Sequence, residues 1–222
     1  MMNIPVYNQL DPRWANKVMA PSSLLLGPFG CYVTCVAMAL HNYAKPFDPG
    51  QLCDKLIEND GFTKDGLLKY DGIENAFPDV LFYERGYTTN DPGRSTQKTR
   101  IETALGKIRT LIRYGMPTIL AVDNAKNDGI PDHAVLAVEC ADDMSDLRIH
   151  DPDGGRDILF SQKYGNPREN LHGWIGIIGS PIEVPEGGDS KLGQVTFKLA
   201  QARKGILVNQ RVKEALDTLL SQ

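Results

Sequence analysis

Long apolar runs are absent. Nothing in the 222 residues approaches the roughly 20 consecutive apolar positions a bilayer-crossing helix needs, so no membrane span is expected. An excess of positive charge is absent too. With 24 Lys and Arg against 28 Asp and Glu, the formal net charge is −4, which removes the global electrostatic case for nucleic acid. Cysteine is sparse: Cys31, Cys35, Cys53 and Cys140 are the whole set. Thiols this few do not make a disulfide scaffold, and their spacing forms no paired C-x-x-C zinc knuckle. Free thiols in a reducing compartment are expected. The opening MMNIPVYNQLDPRW has no basic region leading into an apolar stretch, so it does not read as a secretory signal. The location expected from that is the cytoplasm, or an assembly such as a virion that carries the protein. No G-x-x-x-x-G-K-[ST] phosphate loop occurs. The stretch DPDGG has the outline of a calcium loop, but Gly155 stands where a third acid is needed and no glutamate closes it. No metal and no cofactor are expected.

What is present is a chain of two characters. In the first half, apolar positions recur at helical spacing. Residues 31–44 read as a helix through Val33, Val36, Ala37 and Leu40, with Met38 and Ala39 widening the buried face. Asp48 reads as the N-cap of a second helix, with Pro49 at its first position and Gly61 beyond its end. A third runs over about 97–114, with Ile101, Leu105, Ile108, Leu111 and Ile112 on one side and Gly115 ending it. IPVYNQ near the start is strand-like, and residues 60–98 are irregular. In the second half the period changes. PTILAV, HAVLAVEC, LRIHD, DILF and GWIGII are short β-type runs between turn residues. Helices followed by strands predict an α+β fold. From about residue 181, SPIEVPEGGDSKLGQ is linker-like, QVTFKLA reads as a short strand, and a helix near 205–220 carries Val208, Val212, Ala215 and Leu219 at seam spacing. The organisation expected is a domain over 1–180 and an appendage over 181–222. The terminal helix is the expected place for a protein partner or self-association.

The stretch PFGCYVTCVAMALHNY sets the chemical question. Cores accept free cysteine readily as a small apolar residue. Cys31, however, follows Gly30 at the head of a helix, where unpaired amides and the helix dipole favour a thiolate. Cys35 lies a turn deeper, and Cys53 sits mid-helix between Leu52 and Leu56 as packing. A cysteine nucleophile needs a base, usually histidine. His41 is ten residues further along the Cys31 helix, roughly 15 Å away, and cannot reach. His150 directly precedes Asp151, and His172 lies in a turn-rich stretch. His133 opens the strand HAVLAVEC after a polar loop, so the sheet holds it while its ring stays accessible. Period two puts Cys140 on the opposite face of that strand, a poor partner. The base in turn needs an orienting group. Asp151 ends the next strand, with Asp153 as competitor. An oxyanion needs preorganised donors: the amide at the head of the Cys31 helix, and a side-chain amide from Gln9 or Asn8.

IPVYNQLDPRWAN, GPFGCYVTCVAMAL, GMPTILAV, DHAVLAV and IHDPDGG, in that order, resemble the papain-like cysteine peptidase family typified by bacteriocin double-glycine leader peptidases, in its free-standing branch. The resemblance runs from about residue 3 to about 180. It implies a papain-like α+β fold, with a helical first half carrying the nucleophile helix packed on an antiparallel sheet from the second half. It implies Cys31 as nucleophile, His133 as general base, Asp151 as its orienter and Gln9 as oxyanion donor. Asp132 departs from the family, which often has glycine before the histidine; a carboxylate there is expected to raise the histidine pKa. The activity implied is hydrolysis of a peptide amide, or of a peptide-like cross-link such as those of bacterial cell walls. The alternative is a catalytically silent structural or binding module on the same fold, such as a component of a phage particle. Another Cys-His-Asp acyl transferase, of the transglutaminase kind, is the third reading.

Overall fold

A computed structural model of the protein describes residue 2 and residues 4–91, 99–124 and 131–179. A single helical turn, α1 (Leu26–Phe29), breaks at Gly30, and α2 (Cys31–His41) starts at once. Glycine is required at the junction. The Gly30 N–H folds back onto the Leu26 carbonyl at 2.6 Å, and a Cβ there would meet the same oxygen at 2.4 Å. Helix α3 (Pro49–Glu58) has a full capping box: the Gln51 N–H donates to Asp48 Oδ1 at 2.8 Å and the Asp48 N–H to Gln51 Oε1 at 3.0 Å. Helix α4 (Tyr70–Ala76) and strand β1 (Val80–Tyr87) follow, then α5 (Ile101–Arg113), which ends before Gly115 at φ 74°. Strands β2 (Thr118–Val122), β3 (His133–Cys140), β4 (Leu147–Asp151) and β5 (Arg156–Leu159) come next. Short turns α6 (Ser161–Tyr164) and α7 (Pro167–Asn170) lead into β6 (Leu171–Gly179).

The strands form one antiparallel sheet in the order β1-β6-β2-β3-β4-β5. Both faces are covered, which is why β2, β3 and β6 are apolar throughout rather than alternating. Ala134, Leu136, Ile119 and Ile175 pack against α2 and α3 through Cys35, Val36, Leu40 and Leu52. Val135, Ala137, Leu120 and Trp174 face the other way, onto Leu105, Ile108 and Leu111 of α5. Burying each such leucine or isoleucine contributes ~1.5–3 kcal/mol. The fold is α+β, with helices in the first half and the antiparallel sheet drawn mainly from the second. Among the described residues, no helix is long and apolar enough to cross a membrane.

Several local expectations change. IPVYNQ forms no strand: residues 4–8 have no regular structure and join no ladder. The span 60–98, expected to be irregular, contains α4 and the edge strand β1. The strand was hidden by a bulge, because Phe82 pairs with Ile177 and Arg85 with Ile175, leaving an extra residue that breaks the alternation. Helix α2 stops at His41 rather than 44, with Ala44 at φ 51°. Cys140 also changes face. A register shift between Ala137 and Glu139 pairs it with Leu147, on the side that packs against α5 with Val135. It therefore shares the face of His133 but lies seven residues along the strand, about 23 Å away, and it is distance that separates them. The expected linker, the strand QVTFKLA and the helix near 205–220 lie outside the described residues.

Candidate active site

Cys31 is the first residue of α2 and is partly exposed. The N-cap of this helix is Gly30, and no side chain caps it. The amides of the first turn therefore have no side-chain partner where the thiol stands. Cys35, one turn on, is fully buried, and its thiol reaches the Ala134 carbonyl at 3.5 Å. Burial, helped by the charges of Cys31 and Asp151, pushes its pKa well up. Burial likewise pushes Cys53 up to about 11. Only Cys31 combines a helix head with access.

His133 is buried at the start of β3, and Asp151 is fully buried at the end of β4. Leu136 pairs with His150, so continuing the register sets Asp151 opposite Val135, diagonal to His133 on the same face. His133 Nε2 lies 2.9 Å from Asp151 Oδ1. Cys31 also acts on the ring, favouring its charged form, and Nδ1 is the nitrogen that Asp151 leaves open. Burial by itself would lower the His133 pKa. The hydrogen bonds to Asp151 and Cys31, with their charges, outweigh burial and raise it to about 9. Asp132 takes no part in this shift. Its Oδ1 accepts the Asn124 N–H at 2.7 Å, and the carboxylate acting on His133 is Asp151.

Asp151 is held from several sides that the sequence did not reveal. Oδ1 also accepts the Asp153 N–H at 2.9 Å, while Oδ2 accepts Lys163 Nζ and the Tyr164 hydroxyl, each at 2.8 Å. Burial would raise its pKa, but the hydrogen bonds from His133, Lys163 and Tyr164 win and hold it at about 2. Lys163 also donates to Asp153 Oδ2 at 2.8 Å. Asp153 thus braces the lysine and does not face the histidine. Lys163 and Tyr164 sit in a turn-rich stretch with no periodicity, so the one available signal was a lysine and a tyrosine a short hairpin away from Asp151.

Gln9 is buried and doubly tethered. Its N–H donates to the Pro152 carbonyl at 2.9 Å, beside Asp151. Its Nε2 donates to the Gly27 carbonyl at 2.7 Å, in the turn before Cys31. Its Oε1 is buried without a partner among the described residues. Asn8 is engaged differently: its Oδ1 accepts the Leu10 N–H at 2.9 Å within its own turn. Gly155, at φ 60°, brings the hairpin after β4 so close that a Cβ would sit 2.9 Å from the Asn8 Cβ. The remaining histidines are elsewhere: His41 Nε2 meets the Tyr7 hydroxyl at 2.8 Å, and His150 Nδ1 meets the Pro5 carbonyl at 3.2 Å. His172 is buried in β6.

A helical half that brings a cysteine at a helix head to the end of an antiparallel sheet carrying histidine and carboxylate is the architecture of the papain-like cysteine peptidases. A family model described as the Peptidase_C39 like family matches residues 1–171. The chain belongs to that family, and cysteine peptidase chemistry is its general class. A search of curated proteins finds no match.

Proposed function

We propose that the protein is a cysteine peptidase or amidase that hydrolyses a peptide or peptide-like amide bond through Cys31, His133 and Asp151. One observation carries the reading: a buried imidazole with Nε2 2.9 Å from a fully buried carboxylate, its charged form favoured by Cys31 as well. An imidazole raised to about 9 is charged near neutrality, and a charged imidazole favours a thiolate beside it. The thiolate attacks the amide carbonyl carbon, and the oxyanion receives the Cys31 N–H and the second carboxamide hydrogen of Gln9, the first being committed to Gly27. His133 passes its proton to the amine as the carbon–nitrogen bond breaks, leaving a thioester on Cys31. His133 then takes a proton from water, whose oxygen attacks the thioester. The acid departs, and the proton returns to the thiol. Asp151 orients the ring throughout.

We also propose that the domain extends to about residue 180, with 181–222 as an appendage. The family match ends where β6 begins, yet β6 lies between β1 and β2, so the sheet is complete only with residues up to Gly179. A cell-wall peptide is the narrower substrate within the class.

The test is the rate of Cys31 alkylation by iodoacetamide against pH, read by mass spectrometry, with His133→Ala as control. The expected result is reaction well below the free-thiol range near 8.5, lost in the variant. Release of new amino groups from a peptide library, and from purified sacculi for the wall, then identifies the bond. A Cys31 that behaves as an ordinary thiol, with no amine released, returns the protein to the class of silent binding modules. Incorporation of an added amine in place of water identifies an acyl transferase.

A further inference from the structure

A cavity of about 330 Å³ opens on the sheet face that also packs α2, between β1, β6, β2 and the residues around α4. Its floor is small and apolar, from Ala121, Gly173 and Ile175, and its walls include Tyr32, Tyr70 and Arg85. The cavity adjoins the candidate active site. Tyr32 follows Cys31 in the chain, and Ala121 pairs with Ala134, the neighbour of His133. Pro131, two residues before His133, also lines the cavity.

Among the described residues, Arg85 is the one charged residue in the lining. It enters because of the β1 bulge: Phe82 pairs with Ile177 and Arg85 with Ile175, so both side chains face α2 where an unbroken strand would give Arg85 the opposite face. The Tyr70 ring then lies between them, 4.8 Å from the Phe82 ring and 5.0 Å from the guanidinium carbon. Among the described residues, its N–H groups have no hydrogen-bond partner and remain open to a ligand. Among the described side chains, no carboxylate lies within ion-pair distance of it. A cation aimed by a bulge, stacked on an aromatic wall and unpaired above an apolar floor complements a side chain with a short methylene stem and a carboxylate.

We infer that this cavity is the specificity pocket of the peptidase and that Arg85 selects a substrate residue bearing a carboxylate, of the glutamate type, next to the scissile amide. The inference rests on the reading of Cys31 as nucleophile, and its test is independent of turnover. The full chain is titrated with Ac-Gly-Gly-Glu-Gly-Gly-amide and with the Gln and Lys analogues, following the backbone amide shift of Gly173 and the Arg85 Nε–H shift by NMR. The Glu/Gln affinity ratio, taken within each variant, is insensitive to partial unfolding. About tenfold in favour of Glu is expected for the wild type, one charge-assisted hydrogen bond moderated by the solvent that reaches Arg85. Arg85→Gln should bring the ratio near one, Arg85→Lys should keep part of it, and Arg85→Glu should favour the Lys peptide. A wild-type ratio near one, or a preference that survives Arg85→Gln, overturns the inference. If the ratio follows Arg85 while Cys31 alkylates like an ordinary thiol, the pocket stands and the catalytic reading falls.

Discussion

Replacing Asp151 by asparagine isolates what the buried carboxylate does for the histidine. The rise of His133 from 6.5 to about 9 corresponds to about 3 kcal/mol of preference for the charged ring. Burial opposes that preference, so Asp151 and Cys31 together supply more than the net figure. Removing one of two comparable partners withdraws at least ~1.5 kcal/mol, which lowers the titration midpoint by about one pH unit or more. The assay is the His133 Cε1 proton shift followed from pH 5 to 10 in wild type and Asp151→Asn, with circular dichroism confirming that the variant is folded. The alkylation profile of Cys31 should move in step, because the same proton is shared. A folded Asp151→Asn protein whose His133 midpoint is unchanged refutes the reasoning, for the carboxylate 2.9 Å away would then not be what keeps the ring charged.

The same carboxylate sets an acid limit on stability. Its pKa falls from 3.8 to about 2 on folding, so the associated ~2 kcal/mol is present above pH 3.8 and lost as pH falls through 2. Urea denaturation at pH 5 and pH 2 should show that extra loss in wild type and not in Asp151→Asn. Gln9→Ala should lower kcat by about 10²- to 10³-fold with a smaller change in KM, measured on whichever peptide the library identifies. Gly155→Ala forces a Cβ against Asn8 at φ 60° and should cost about 1–3 kcal/mol in thermal or chemical unfolding.

Local chemistry was legible where it repeats. The Asp48 cap with Pro49 and the apolar runs that become β2, β3 and β6 could be read because each signal sits within a few residues of its effect. The order of the motifs carried the family. Other features were hidden because they are settled across the chain. β1 was obscured by the bulge, which breaks period two at the point where Arg85 is re-aimed. Lys163 and Tyr164 reach Asp151 from the far side of the β4–β5 hairpin, and no spacing announces such a meeting. Asp132 looked like a charge on His133 by adjacency, yet successive residues on a strand point apart, and its carboxylate turns to Asn124. Asn8 spends its side chain on its own turn, while Gln9 reaches the turn before Cys31 with its side chain and the hairpin after β4 with its backbone N–H.

The segment from Ile4 to Gln9 stitches together parts made far apart in time. Pro5 receives His150 across 145 residues of chain, Tyr7 binds His41 on the helical side, and Gln9 joins the turn before Cys31 to the hairpin after β4. A ribosome releases the helix bearing Cys31 long before it completes the strands bearing His133 and Asp151. Contacts of such separation form late in folding. The nascent chain therefore presents the Cys31 thiol before the His133 ring can reach it. A cut that frees the first ten residues removes the Gln9 bridge between the turn before Cys31 and the hairpin after β4 without touching Cys31 or His133.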